Sequence, residues 1–135
     1  MYFMAVLLII SVTNFVAPAY IDRNGKHEPV VVAAKLQGNE TIGTGSGGRV
    51  RLSIPGRGIL SLDSNSAVDL LCTDVKACKV KLRRGRLRLQ VKAPLQALAP
   101  GMSCQLDSGD FTMTTAPKSE ITPASSGKYS CESAP

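Results

Sequence analysis

The chain has 135 residues, with 16 Lys and Arg against 10 Asp and Glu, and carries a net charge of +6. A domain of this size can bury a core without a metal ion, and its positive charge favours anionic partners without selecting one. One His and no Trp leave little for acid–base catalysis or for stacking on bases and sugars.

Residues 1–19, MYFMAVLLIISVTNFVAPA, contain no charged side chain and include an apolar run from Met4 to Ile10. Ala17 and Ala19 are the small residues expected before a cleavage point. This layout is typical of a secretory signal that is removed after Ala19. A membrane anchor is the alternative, but polar residues and Pro18 interrupt the apolar stretch before the ~20 residues that a spanning helix needs. We predict an exported chain of 135 − 19 = 116 residues.

Short segments of alternating apolar and polar residues make up most of the remaining chain. Residues 20–48 are expected to form one strand, PVVVAAKL at 29–36, followed by a glycine-rich linker. Residues 49–115 contain further alternating segments, separated by Gly, Pro, Asn or Asp about every ten residues. The pattern predicts an all-β domain, either an antiparallel sandwich or a short β-solenoid or jelly-roll-like fold. Residues 116–135 are rich in Pro, Ser and Thr, and are expected to form a loose tail.

The four cysteines are Cys72, Cys78, Cys104 and Cys131. An even number in an exported chain predicts two disulfides. Of the three possible connectivities, we favour Cys72–Cys78, across a short strand connection, and Cys104–Cys131, which would hold the tail. A zinc site is the alternative, but the chain lacks a C-x-x-C pair and its cysteine spacings differ from those of structural zinc sites. We predict a domain cross-linked by two disulfides, with no metal and no cofactor.

No arrangement of residues typical of an enzyme is found. The GTGSGG stretch at 43–48 lacks the helix that follows a phosphate-binding loop, and so predicts a turn. His27 has no evident orienting partner, and Asp107 and Asp110 lie on either side of Gly109 in an expected turn. Asn39 fits the N-x-T glycosylation pattern. We expect a protein that is not an enzyme.

The segment KVKLRRGRLRLQVKAP at 79–94 carries seven basic residues and no acidic one. Its apolar residues alternate with the charges, which predicts two strands joined by a turn at Arg84-Gly85. If the strands pair, their basic residues share one face. That face is either a solvated surface that keeps the strands soluble or an anion-binding patch. The candidate contact residues are Lys79, Lys81, Arg83, Arg86, Arg88 and Lys92.

Three segments between about Gly48 and Met113 resemble the FecR-like domain, the periplasmic β-domain of bacterial iron-dicitrate sensor proteins. SLDSNS at 61–66 resembles its first turn region, and VKLRRG at 80–85 matches a V-x-L-x-x-G element that is followed by a strand ending at Val91. SGDFTM at 108–113 resembles the last element. The resemblance implies a β-rich fold over residues 49–115 and a location in the cell envelope.

Together these features predict a non-catalytic binding or assembly module in the periplasm or outside the cell. Its basic face would contact an anionic envelope polymer, lipopolysaccharide phosphates or an acidic protein surface. Nucleic acid is not expected, because no aromatic residue is interleaved with the charges, and a membrane contact is expected only if residues 1–19 remain as an anchor. The alternative function is a structural accessory subunit of a larger envelope or extracellular complex.

Overall fold

Alternating residues form strands throughout the computed structural model, which describes residues 9–73, 77–124 and 127–133. These residues form fourteen strands and no helix, which confirms the predicted all-β class. The strands are β1 (Ile10–Val16), β2 (Ala19–Arg23), β3 (Lys26–Pro29), β4 (Lys35–Leu36), β5 (Thr41–Thr44), β6 (Arg49–Ile54), β7 (Gly58–Leu62), β8 (Ala67–Cys72), β9 (Cys78–Arg84), β10 (Arg86–Val91), β11 (Leu95–Ala99), β12 (Met102–Thr114), β13 (Glu120–Pro123) and β14 (Lys128–Ser133).

Strand β6 shows how the alternation builds the core. Successive side chains of a strand point to opposite faces. Val50, Leu52 and Ile54 therefore lie on one face, where each is at most 2% exposed, while Arg49 and Arg51 lie on the other face in solvent. The buried apolar side chains of the described strands form one continuous cluster. Burial of apolar surface contributes about 25 cal/mol per Å², so this shared core is the main source of stability.

The strands form a single curled sheet that divides into two halves at β12. Half-sheet I has the strand order β3-β2-β5-β8-β9-β11, followed by residues 102–108 of β12, which also pair with β14. Half-sheet II begins with residues 109–114 of β12, which pair with β13 and β10, and continues through β7, β6, β1 and β4. Strands β9 and β11 pair in parallel, and the other described pairs are antiparallel.

The prediction that Arg84-Gly85 closes a β-hairpin is wrong. Strand β9 pairs with β8 and β11 in half-sheet I, whereas β10 pairs with β7 and β12 in half-sheet II. The chain therefore passes from one half-sheet to the other at Gly85. Its φ of 94° suits glycine, and a Cβ at this position would collide with the side chain of Ser66. Alternation specifies which face of a strand is buried, but it does not specify the neighbouring strands.

The predicted strand at 29–36 is also interrupted. Strand β3 ends at Pro29, and β4 contains only Lys35 and Leu36. Between them Val31 and Val32 are 59% and 77% exposed in a turn, in which the amide of Ala34 donates to the carbonyl of Val31 at 3.2 Å. The β-branched run therefore does not form one strand, because its central valines do not reach the core.

The predicted leader contributes a strand to half-sheet II. Strand β1 pairs with β6 and β4, and its Ile10 and Val12 are 0% and 2% exposed within the core. Removal of the chain up to Ala19 would delete this strand; the cleavage itself stays a prediction. Residues 1–8 lie outside the described residues. In the described part of the chain, no helix has the length and apolar character needed to cross a bilayer.

Both predicted disulfides are confirmed. Cys72–Cys78 joins β8 to β9, and Cys104–Cys131 joins β12 to β14, each between residues directly opposite in the ladder. These bonds indicate an oxidising, exported environment.

The C-terminal tail, which was expected to be loose, contains β13 and β14, because both halves of β12 offer it a strand to pair with.

The burial of β1 leads to a stability prediction. We expect Ile10→Ala to lower the free energy of unfolding of the full-length chain by about 2–4 kcal/mol, because it leaves a cavity in the core. Ile9→Ala is the matched control, since Ile9 is 42% exposed, and it should change stability by less than about 0.5 kcal/mol. Urea unfolding measures both variants. Equal effects would contradict the place of β1 in the core.

The two disulfides should contribute unequally to stability. Their cysteines are 27 residues apart for Cys104–Cys131 and 6 residues apart for Cys72–Cys78. Chain-entropy arguments therefore give about 3–4 kcal/mol for the first and about 2 kcal/mol for the second. Replacing each pair by alanines and measuring urea unfolding tests this order. A larger loss from the Cys72–Cys78 pair would contradict it.

Candidate functional site

The six predicted contact residues do not form one surface. Three of them lie on β9, on the outer face of half-sheet I, and two lie on β10, on the outer face of half-sheet II. Lys92 follows the end of β10, where its amide donates to the carbonyl of Arg57 at 2.8 Å. The division follows directly from the absence of the expected hairpin.

On half-sheet I, acidic residues lie among the basic side chains of β9. Asp69 of β8 is opposite Lys81 in the ladder, and its Oδ2 atom lies 2.8 Å from Nε of Arg83. The hydrogen bond from Arg83 to Asp69, reinforced by their opposite charges, raises the pKa of Arg83. Asp69 also accepts a 2.7 Å hydrogen bond from the hydroxyl of Thr41. The β9 side of the predicted patch therefore has the character of a solvated surface of mixed charge.

On half-sheet II, four arginines surround one groove of about 580 Å³. Arg86 and Arg88 of β10 form one side, and Arg49 and Arg51 of β6 form the other. The short side chain of Ser61, on the intervening strand β7, lies between them. We call this surface the arginine groove. Only two of its four arginines belong to the predicted contact set.

The strand register places the groove residues in rows across the sheet. Arg51, Ser61, Arg88 and Thr112 are direct neighbours on β6, β7, β10 and β12. Arg51 and Arg88 are separated by one strand, which puts their Cα atoms roughly 9–10 Å apart. Arg49 precedes Arg51 by two residues on β6, and Arg86 precedes Arg88 by two residues on β10. Each pair of Cα atoms along a strand is therefore roughly 7 Å apart. The four arginines thus occupy the corners of a small rectangle centred on β7.

The arginine groove contains one acidic residue among the side chains that line it. This residue, Asp63, lies 3.8 Å from Nε of Arg49, whose side chain is 74% exposed. An ion pair this open contributes little, about 0–1 kcal/mol. In the described ranges, no carboxylate oxygen lies within 4.0 Å of a side-chain nitrogen of Arg51, Arg86 or Arg88. The surface therefore keeps most of its positive charge.

One end of the groove is apolar. Phe15 and Val16 of β1 line it, and Val16 is 53% exposed. Beyond residue 11, β1 has no ladder pairing with β4, which pairs only with Ile10 and Ser11. The groove therefore adjoins a sheet edge that has no partner strand along Asn14–Val16 in the described part of the chain.

A sequence signal for the two additional arginines exists. RVRL at 49–52 has the same alternation as RLRL at 86–89, with the arginines on the outer face in both. The sequence does not indicate that β7 lies between these two strands and brings the four side chains together. That neighbourhood is a property of the strand order alone.

His27 has an orienting partner that the sequence did not suggest. Its Nδ1 atom lies 2.7 Å from Oδ1 of Asp22, its cross-strand neighbour, and its ring lies 4.3 Å from the ring of Tyr20. Both members of the pair are open to solvent, at 64% and 44% exposure. Among the described residues, no hydroxyl or thiol hydrogen-bonds to His27.

The other sequence motifs have structural roles. The glycine-rich stretch turns between β5 and β6, with the amide of Gly48 donating to the carbonyl of Gly45 at 3.0 Å. Asp107 and Asp110 lie within β12 rather than around a separate turn, close to its irregular register between Leu106 and Ser108. Asn39 is exposed. Among the described residues, no group of three or more His, Cys, Asp or Glu side chains could hold a metal ion.

Comparisons with family models, with curated proteins and with solved structures find no match to this chain. The resemblance of residues 49–115 to the FecR-like domain therefore stays a prediction. The candidate site is argued from its own geometry.

The difference in pairing among the arginines predicts a difference in chemical reactivity. The neutral form of the guanidine group attacks the carbonyl carbons of phenylglyoxal, so Arg83, whose pKa is raised by Asp69, should react several-fold more slowly than Arg51 or Arg88. Peptide mass spectrometry after brief modification measures this. Asp69→Asn is the control and should accelerate modification of Arg83 alone. Equal rates at Arg83 and Arg51 in the unaltered protein would contradict the assignment.

Proposed function

We propose that this protein is a non-catalytic, exported binding module that contacts an anionic polymer through the arginine groove of half-sheet II. One observation carries the proposal. Arg49, Arg51, Arg86 and Arg88 surround a single groove, and among the described residues that line it only Asp63 is acidic. Because the groove is built on paired strands, the backbone positions of its four arginines are fixed before any ligand arrives, which lowers part of the entropy lost on binding.

The proposed surface differs from the basic stripe of residues 79–94. Arg86 and Arg88 remain at its centre, and Arg49 and Arg51 join them. Lys79, Lys81 and Arg83 fall outside it, because β9 belongs to half-sheet I and Asp69 neutralises part of its charge. Lys92 stays at the end of β10, away from the residues that line the groove.

The chemistry of arginine supports an anionic partner. Its planar guanidinium presents a fork of donors that matches carboxylate, sulfate and phosphate groups. Four such groups within one rectangle favour a partner with repeated charges, since each added contact strengthens the same complex. The arrangement also explains why an aromatic platform is not required, as it would be for unstacked bases.

The disulfides and the proposed partner support a place of action outside the cytoplasm. Two cross-strand disulfides require an oxidising compartment, and polyanions with repeated sulfate, phosphate or carboxylate groups occur in cell envelopes and extracellular matrices. We propose the periplasm or the extracellular space, and we propose no enzymatic activity, metal or cofactor.

The alternative function, a structural accessory subunit, is favoured by a different observation. The edge of β1 along Asn14–Val16 has no ladder partner in β4, and an open edge can accept a strand from another chain. An acidic protein could use this edge and the arginine groove together. Such a complex would depend on backbone pairing and apolar contacts more than on charge.

A pair of charge-matched double variants tests the proposed function. Arg51→Gln with Arg88→Gln removes two charges from the groove, and Lys79→Gln with Lys81→Gln removes two charges from half-sheet I. We expect the groove variant to bind heparin at least about tenfold more weakly, since a hydrogen bond to a charged group contributes about 1.5–3 kcal/mol and about 1.4 kcal/mol is a factor of ten. The affinity of the control variant for heparin should fall by less than about threefold, apart from the small loss that follows from its lower net charge.

Titration at several salt concentrations completes the test. Binding of the unaltered protein should weaken steeply with salt, and less steeply for the groove variant, because fewer ion contacts are broken. Equal losses in the two double variants would overturn the arginine groove as the contact surface. Association with one fixed protein partner that resists high salt would favour the structural subunit.

A further inference from the structure

The centre of the arginine groove has a chemistry more specific than positive charge. Resting on the proposed function, we infer that the row formed by Arg51, Ser61, Arg88 and Thr112 is a subsite for one tetrahedral oxyanion, the terminal group of a phosphate or sulfate ester. The two arginines supply the charge, the Ser61 hydroxyl supplies a neutral donor between them, and the Thr112 hydroxyl supplies a further donor on the far side of Arg88.

The hydroxyls of Ser61 and Thr112 are free to bind a ligand. Within residues 9–73, 77–124 and 127–133, neither side chain makes a hydrogen bond to another residue. Many other hydroxyls of the sheet are engaged. Those of Thr41, Thr44 and Ser66 donate to acceptors at 2.7, 2.6 and 2.9 Å. Ser61 and Thr112 are partly buried, so they lie low in the groove with donors that no other described residue uses.

The row brings these donors together. Ser61 is the direct ladder neighbour of Arg88, and Arg88 is the direct neighbour of Thr112. Arg51 approaches Ser61 from the other side. An arginine side chain is longer than half of the roughly 9–10 Å between the Cα atoms of Arg51 and Arg88, so both guanidinium groups can converge above Ser61. Direct neighbours on one face of a sheet are close enough to bind one small group together. Thr112 is two strand spacings from Ser61, roughly 9–10 Å, so its hydroxyl adds a donor on the far side of Arg88.

The number and variety of donors favour a tetrahedral oxyanion over a carboxylate. A carboxylate has two oxygens in one plane, and the fork of one arginine satisfies both. A phosphate or sulfate ester has three terminal oxygens that point in different directions. Two arginines from opposite sides, with the Ser61 hydroxyl between them, match that distribution, whereas a carboxylate would leave some of these donors unused.

The neighbouring row is a poorer site for the same group. There the two arginines are Arg49 and Arg86, and Asp63 lies near them, with its Oδ1 atom 3.8 Å from Arg49 Nε. A carboxylate beside the floor of the groove repels an anion. Arg49 and Arg86 therefore serve as flanking contacts for further charges of the same polymer, and the oxyanion is held by the row that contains Ser61.

Small anions test the subsite without a polymer. Inorganic phosphate, sulfate and acetate are titrated into the full chain, with backbone amide shifts followed by NMR. We expect phosphate and sulfate to shift the amides of Ser61 and Thr112 and to bind at least about fivefold more tightly than acetate. Equal affinities for the three anions, or shifts centred on Lys79 and Lys81, would overturn the inference.

Hydroxyl variants separate hydrogen bonding from charge. Ser61→Ala with Thr112→Val removes both hydroxyls and leaves the net charge unchanged. It should weaken phosphate binding about tenfold, because hydrogen bonds to a charged acceptor are the stronger ones, with acetate binding little changed. Ser130→Ala with Ser133→Ala removes two exposed hydroxyls of β14 and is the control. Urea unfolding verifies that both variants are folded; unchanged phosphate binding by the groove variant would overturn the subsite.

Two further arms identify the source of the oxyanion and separate the two proposals. Long-chain polyphosphate represents a polymer, and vesicles containing phosphatidylglycerol represent a lipid surface. Tight binding to polyphosphate that the hydroxyl variant weakens supports both proposals. Phosphate binding at the row without tight polyphosphate or heparin binding supports the subsite and overturns the polymer-binding function. Tighter binding to the vesicles than to polyphosphate would show that the oxyanion belongs to a lipid headgroup. Polymer binding without discrimination against acetate leaves the function and overturns the subsite.

Discussion

The division of β12 between two half-sheets is the constraint on which the rest of the structure depends. Its first half completes half-sheet I and its second half begins half-sheet II, so a single strand sets the curl of the whole sheet. Cys104, Leu106, Phe111 and Met113 of β12 are fully buried, and they contribute to one core for both halves. Because the inner faces close around that core, the outer faces point away from each other. The exposed charges of β9 and those of β6 and β10 are thereby assigned to two separate surfaces.

This division determines the electrostatic character of the two surfaces. The positive charges of β9 lie beside Asp69, which compensates part of the charge on half-sheet I. The charges of β6 and β10 have few acidic neighbours, and they face each other across β7. The net charge of +6 is therefore distributed unevenly. The groove on half-sheet II is nearly uncompensated, and the surface of half-sheet I has mixed charge. Exposed charges further apart than about 8–10 Å are largely screened at physiological salt, so local concentration matters more than the total.

Strand β1 connects the processing of the chain to the candidate site. Ile10 and Val12 are part of the core, while Asn14 and Phe15 line the arginine groove. Removal of residues 1–19 would therefore expose the edge of β6 and take away one end of the groove. A chain that keeps β1 and a chain cleaved after Ala19 would consequently have different surfaces at this end of the groove. The arginines themselves stand on β6 and β10, which are held by β7 and β12 as well.

The sequence by itself determined the all-β class, the outward position of the basic side chains of β9 and β10 and the two disulfides, because alternation and cysteine spacing are local properties. It also contained the paired motifs RVRL and RLRL, although nothing local relates one to the other. Only the tertiary structure decided that β9 and β10 separate at Gly85, that the valines at 31 and 32 form a turn, and that Arg51 and Arg88 share a row with Ser61 and Thr112. The physical reason is that a strand's own residues specify which face is buried, whereas its neighbours are selected by the packing of the entire core.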